Sequence, residues 1–128
     1  MSTPQRPLSP HLQIYKPQIS SILSILHRIT GIGLFLGLLT FIAYLGALAS
    51  GPQATGRFVA CLGSGLGLLY AFALSVAVFY HTANGLRHLA WDAGKGYDLP
   101  TMHKTGYAVL AFAGAGTLLF WISVGGRV

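Results

Sequence analysis

The chain has 128 residues, of which 53% are hydrophobic and only 8% are charged, and its formal net charge is +6. Soluble domains carry about 25% charged residues, so the composition excludes an ordinary soluble domain and indicates a membrane protein. The eight Lys and Arg residues stand singly at the ends of apolar segments and form no basic stripe, which argues against nucleic-acid binding. The single cysteine, Cys61, excludes an internal disulfide.

The first 20 residues are expected to form an irregular arm on the membrane surface. They contain Pro4, Pro7, Pro10 and Pro17, and each proline disfavours a continuous helix. The basic residues of this segment do not lead directly into an apolar core as those of a signal peptide do, so we expect no cleaved sequence here.

Three apolar segments follow the arm and predict an all-α, three-helix transmembrane protein that forms a single domain over residues 1–128. The helices are expected at about 21–50, 58–88 and 105–125. Each is long enough to cross a hydrocarbon layer of about 30 Å at a rise of 1.5 Å per residue. The glycine- and proline-containing segments 51–56 and 92–100 are expected to be the connecting loops.

The distribution of basic residues predicts the orientation in the membrane. Only Arg57 and Arg127 flank the spans on one side, whereas the other side collects Arg6, Lys16, Arg28, Arg87, Lys95 and Lys104. The positive-inside rule therefore places the N-terminus inside and the C-terminus outside.

The second span ends in a histidine pair. His81 and His88 are seven residues apart, and at about 100° per residue they return to nearly the same helix face. A polar residue near the end of a span is a candidate ligand or proton relay because burial in hydrocarbon is costly. Spacing alone leaves a packing role equally open.

The first span begins with a second polar group, formed by Ser24, His27 and Arg28 at positions i, i+3 and i+4. These side chains share one helix face, and the predicted topology puts them at the same membrane level as His81 and His88. The spacing also allows simpler roles: Arg28 as an interface anchor, Ser24 bonded to its own helix and His27 as a packing residue.

Three segments, 6–8, 24–30 and 81–94, together resemble both signatures of the succinate dehydrogenase cytochrome b subunit family. Their sequences are Arg-Pro-Leu, Ser-Ile-Leu-His-Arg-Ile-Thr and His-Thr-Ala-Asn-Gly-Leu-Arg-His-Leu-Ala-Trp-Asp-Ala-Gly. The resemblance covers the arm and all three spans. It implies the large membrane-anchor subunit of respiratory complex II.

The resemblance implies a b-type haem shared between two chains. His81 matches the family's axial ligand to the haem iron, and a second small membrane-anchor subunit supplies the opposite ligand. His27 and Arg28 match residues near the haem propionates, and Arg87 and His88 match motif positions close to the haem.

The resemblance also implies a quinone site and soluble partners. Ser24 and Arg28 match residues at the ubiquinone-reduction site. Succinate would be oxidised at FAD in a flavoprotein subunit, and electrons would reach quinone through the clusters of an iron-sulfur subunit. The chain would thus be a non-flavin subunit of an enzyme complex, in the bacterial inner membrane or, alternatively, the mitochondrial inner membrane.

Two other functions remain open at this stage. The chain could be a haem-free anchor that only docks soluble dehydrogenase subunits. It could also be a small proton-conducting membrane protein that uses its histidines as a relay, although the first and third spans contain no acidic residue.

Overall fold

The computed structural model describes residues 16–125, which form four helices in the order α1 (Ile19–Ala49), α2 (Pro52–Leu62), α3 (Gly65–Asp92) and α4 (Leu99–Gly125). Helices α1, α3 and α4 are long and apolar enough to cross a membrane. The shortest of them, α4, has 27 residues and is about 40 Å long at 1.5 Å per residue. The predicted all-α, three-span fold class is confirmed.

Parts of the sequence prediction lie outside the described residues. These parts are residues 1–15 of the predicted surface arm, including Arg6, and the C-terminal Arg127. Helix α1 begins at Ile19, so the last two residues of the predicted arm are helical.

Helix α2 occupies most of the segment that was expected to be a loop. Pro52 stands at the start of this helix, where a proline is tolerated because the first backbone N–H groups have no partner within the helix. Gly51, with φ of 107°, makes the turn after α1, and the Thr55 hydroxyl donates to the Ala47 carbonyl at 3.2 Å. The third helix then begins at Gly65 rather than near residue 58.

Helix α4 also begins earlier than predicted, at Leu99 instead of near residue 105. A carboxylate oxygen of Asp98 accepts a hydrogen bond from the Thr101 backbone N–H at 2.9 Å. This is the geometry of an N-terminal cap, and Pro100 lies within the first turn, where it costs little.

The packed core lies where α1, α3 and α4 meet. Its buried members are Leu23 from α1, Tyr80 from α3, and Val109 and Ala113 from α4. The Tyr80 hydroxyl donates to the Leu23 carbonyl at 2.7 Å. The core therefore joins the beginning of α1 to the second half of α3, the two segments that carry the predicted site residues.

Leu23, a member of the core, is the one buried residue of α1. A Cβ atom at Gly37 would come within 2.6 Å of Leu74 Cδ1, so this glycine permits a close α1–α3 contact. A Cβ at Gly33 would meet nothing within 4 Å. Most of the α1 surface is thus apolar and available to lipid or to another chain.

Candidate functional site

Helix α3 carries two neighbouring polar stripes, and they face different helices. The first, His81, Gly85 and His88, turns toward α1. The second joins α3 to α1 and α4 and consists of Tyr80, Asn84 and Arg87. Each stripe follows the i, i+4, i+7 spacing of one helix face.

Three histidine side chains form a cluster between α1 and α3. The rings of His27 and His81 are stacked, with centroids 3.8 Å apart and planes inclined by 12°. The ring of His88 meets His27 edge-on at 4.8 Å. The structure thus brings together the three histidines that the sequence placed at one membrane level.

The two stacked rings differ in how their nitrogens are satisfied. His81 Nδ1 lies 3.1 Å from the His27 backbone carbonyl oxygen and 3.1 Å from the Thr30 hydroxyl. His27 Nδ1 is buried and has no hydrogen-bond partner among the described residues. A buried polar nitrogen without a partner is costly, so the two stacked histidines differ in how well their polar atoms are satisfied.

A groove of about 390 Å³ opens beside the cluster and has Ser24 in its lining. Its lining residues come from the first turns of α1 and the end of α3: Ser20, Ser21, Ser24, Ile25, His88 and Trp91. Arg28 does not line it and is exposed one helical turn further along α1. His88 belongs to both the histidine cluster and the groove, so the two features are continuous.

Arg87 is directed away from the histidine cluster, toward α4. It is buried, and its guanidinium donates to Thr105 Oγ1 at 3.1 Å, to the Met102 carbonyl at 3.0 Å and to Asn84 Oδ1 at 3.4 Å. The guanidinium carbon also lies 4.1 Å from the centroid of the Trp91 ring. Among the described residues, therefore, Arg87 links α3 to α4.

Sequence reasoning gave no role to Thr30, Asn84 or Trp91, although each lies at or next to the site. The spacing of Asn84 and Trp91 from Arg87 offered a signal, because positions 84, 87 and 91 fall on one face of α3. Thr30 offered a weaker signal as the third residue after His27.

The fold and the site together define a multi-pass α-helical membrane protein with a histidine cluster between two of its spans. A model of the family described as succinate dehydrogenase/fumarate reductase transmembrane subunit matches residues 2–120. The chain belongs to this family, and the resemblance seen in its signatures is confirmed.

Individual relatives agree with this assignment. The chain is 42% identical over 118 residues to a succinate dehydrogenase cytochrome b556 subunit of Rickettsia felis, covering 92% of each chain. It is 43% identical over 122 residues to a cytochrome b560 subunit of Reclinomonas americana, covering 91% of this chain and 85% of the relative. A mitochondrial cytochrome b560 subunit of Bos taurus is 41% identical over 111 residues, with 85% and 66% covered. The rickettsial and mitochondrial relatives and the three spans indicate a multi-pass protein of an inner membrane.

Proposed function

We propose that this chain is the membrane-anchor subunit of a succinate:ubiquinone oxidoreductase, that it holds a b-type haem through His81, and that it forms part of the ubiquinone-reduction site. The observation that carries the proposal is the histidine cluster, in which His81 Nδ1 is engaged by α1 and His27 Nδ1 is buried without a partner among the described residues. Imidazole is a common axial ligand of haem iron. When bound, the haem would supply a centre that accepts and returns one electron.

The residues of the cluster fit one haem ligand rather than two. His81 would hold the haem, and the His27 ring, stacked on the His81 ring with a centroid distance of 3.8 Å, would lie beside this ligand rather than act as a second one. The opposite ligand would come from a second small anchor subunit, as the match of His81 to the family's ligand position implies.

The other residues around the cluster would serve the haem propionates and its surroundings. Arg28 is exposed on α1 and can make charge-assisted hydrogen bonds to a carboxylate, while the buried Nδ1 of His27 can form a hydrogen bond. His88 packs on His27. Arg87 has a different role in this proposal because its hydrogen bonds go to α4 and Asn84.

The groove beside the cluster would receive the ubiquinone headgroup. Ser24, which lines the groove, can donate a hydrogen bond to a quinone carbonyl oxygen. Arg28 lies one helical turn beyond the groove, and its long side chain would extend toward the ring to stabilise the negative charge that develops there. Both residues lie near the beginning of α1, for which the positive-inside rule predicts a position at the inner surface. An iron-sulfur subunit docked there would deliver electrons from a flavoprotein subunit that carries FAD and oxidises succinate.

The haem assignment is tested with the complex purified from native membranes. We expect the b-type haem bands to be absent from the reduced-minus-oxidised spectrum of His81→Ala. The intensity of these bands is measured relative to the flavin content, so that a poorly assembled complex is recognised. His103→Ala is the matched control because His103 is an exposed histidine of α4. Full haem bands in His81→Ala would refute the ligand assignment, and their absence from the wild-type complex would favour the haem-free anchor.

The quinone assignment is tested by two activities of the same complex. We expect Ser24→Ala and Arg28→Met to depress succinate:ubiquinone reduction by about 100-fold or more, as loss of one stabilising donor typically does. Succinate oxidation with a soluble artificial acceptor should remain. Ser123→Ala, which removes an exposed hydroxyl near the end of α4, is the control. Equal loss of both activities would show damaged assembly and would contradict the proposal.

A further inference from the structure

The His81 ring is held at Nδ1 by two oxygen atoms of α1, and their chemistry determines where its proton lies. The His27 carbonyl oxygen, 3.1 Å away, can only accept a hydrogen bond. His81 Nδ1 must therefore carry the proton to form this bond. The neutral imidazole that results has its unprotonated lone pair on Nε2.

The Thr30 hydroxyl supports the same arrangement. Its oxygen lies 2.8 Å from the Leu26 carbonyl and 3.0 Å from the His27 carbonyl, so its single proton is directed to the backbone of its own helix. Toward His81 Nδ1, 3.1 Å away, the hydroxyl oxygen is then an acceptor. Both contacts of Nδ1 select one tautomer.

The next residue of α1 fixes the distance of the ring from the helix. A Cβ atom at Gly31 would lie 3.3 Å from His81 Cε1, so the imidazole rests closely against the α1 backbone. The parallel ring of His27 covers it at 3.8 Å. The orientation of His81 is thus set by α1 on more than one side.

We infer that Thr30 is a positioning residue that holds the haem ligand His81 in its Nδ1-protonated tautomer and tunes its strength as a ligand. The inference rests on the proposed haem role of His81. An acceptor on Nδ1–H makes the imidazole a stronger electron donor at Nε2. A stronger donor stabilises oxidised iron over reduced iron, so Thr30 lowers the midpoint potential of the haem.

The test compares threonine variants in the complete complex. Thr30→Val removes one of the two acceptors of His81 Nδ1–H at nearly constant shape and leaves the His27 carbonyl. We therefore expect haem binding to weaken by about 10-fold, the lower end of the range for partners of a metal ligand. If the weaker binding affects the oxidised haem and not the reduced haem, the midpoint potential of this one-electron couple rises by about 59 mV for each tenfold loss of affinity. The g values of the oxidised haem should shift as well, whereas Thr30→Ser should restore the wild-type potential and spectrum.

Thr40→Val is the matched control. Thr40 also lies on α1, donates to its own helix and forms a hydrogen bond with α3, through Tyr70 at 2.7 Å, but it lies away from the histidine cluster. The haem midpoint potential and the spectrum of Thr40→Val should equal those of the wild type. If Thr30→Val does not accumulate in the membrane, Thr30→Ala removes the same oxygen without added bulk and gives the same readouts.

The outcomes separate this inference from the proposed function. If the haem is lost in His81→Ala but keeps its midpoint potential and g values in Thr30→Val, the role of Thr30 is overturned and the ligand assignment stays intact. Equal shifts in Thr30→Val and Thr40→Val would also overturn it, since any α1–α3 hydrogen bond would then act alike. Full haem retention in His81→Ala would overturn the ligand assignment and, with it, this inference.

Discussion

Replacing Arg87 with methionine is expected to weaken the contact between α3 and α4 without altering the haem spectrum. Arg87 is only 6% exposed and donates hydrogen bonds to Thr105 and Met102 of α4 and to Asn84 of its own helix. Methionine preserves much of the side-chain volume but removes every donor. The guanidinium contact with the Trp91 ring is lost as well.

The magnitude depends on which acceptors remain satisfied after the change. Thr105 keeps a hydrogen bond to the Thr101 carbonyl at 2.9 Å, and the Met102 carbonyl still accepts from Thr105 at 3.2 Å. Asn84 is 0% exposed, so its Oδ1 atom loses its donor in a buried position, which costs about 1–3 kcal/mol. Methionine avoids the cost of burying a charge, so we expect a net loss of about 2 kcal/mol.

The assay is the thermal transition of the purified complex. A loss of about 2 kcal/mol would lower the Tm of an isolated 128-residue domain by roughly 8 °C, and the Tm of the larger complex by less. Adding Asn84→Leu should recover part of the loss, because both partners of the buried hydrogen bond are then apolar. Arg57→Met, at an exposed position of α2, should change stability by less than about 0.5 kcal/mol. An unchanged Tm with a shifted haem spectrum in Arg87→Met would refute this reasoning and place Arg87 at the cofactor.

Two further predictions concern packing and pH. Gly37→Ala should lower the Tm of the complex because the added Cβ must displace Leu74, which costs about 1–3 kcal/mol against a gain of about 1 kcal/mol in helix propensity. Gly33→Ala should raise the Tm, because its Cβ meets nothing within 4 Å. Equal effects of the two substitutions would contradict the α1–α3 contact. Hydrogen bonds from Thr101 lower the pKa of Asp98 from its ordinary value of 3.8, so the cap of α4 is fully formed above that value and is lost as the pH falls through the lowered pKa. The protection factors of the backbone amides in the first turn of α4, taken relative to the intrinsic exchange rate at each pH, should therefore decrease in strongly acidic buffer. Asp98→Asn should remove most of this dependence, and wild-type protection factors that do not vary with pH would contradict the capping role.

The three spans could be predicted from sequence because long apolar segments have few alternatives to a membrane helix. The short helix α2 could not, because its first residues, Gly51 and Pro52, are also typical of a loop. Proline at the first position of a helix is equally common, and only the contacts of α2 with its neighbours distinguish the two. The N-terminal cap of α4 at Asp98 could have been predicted from sequence, since Asp98 is followed by Pro100 and precedes an apolar run.

The candidate site was predictable only in part, for a geometric reason. Periodicity identifies residues that share a face, as for His81 and His88, but it does not say which neighbouring helix that face meets. Arg87 and His88 are adjacent in sequence and about 100° apart around the helix, so one is directed to α4 and the other to α1. The expected position of both residues near the haem came from the family motif, and a motif match does not distinguish these two directions.

The two stripes of α3 also explain how a small membrane chain can hold polar groups for two purposes. In the Tyr80, Asn84 and Arg87 stripe, the polar groups are satisfied within this chain, by Leu23 and by residues of α4. In the histidine stripe, His81 is held only through Nδ1, and its neighbour His27 keeps a buried nitrogen without a partner in the described part of the chain. Buried polar groups are costly unless paired, so the first stripe stabilises the fold, and the second is where we propose that a group from outside this chain binds. Variants of the first stripe should accordingly change the Tm, and variants of the second should change spectra and haem content.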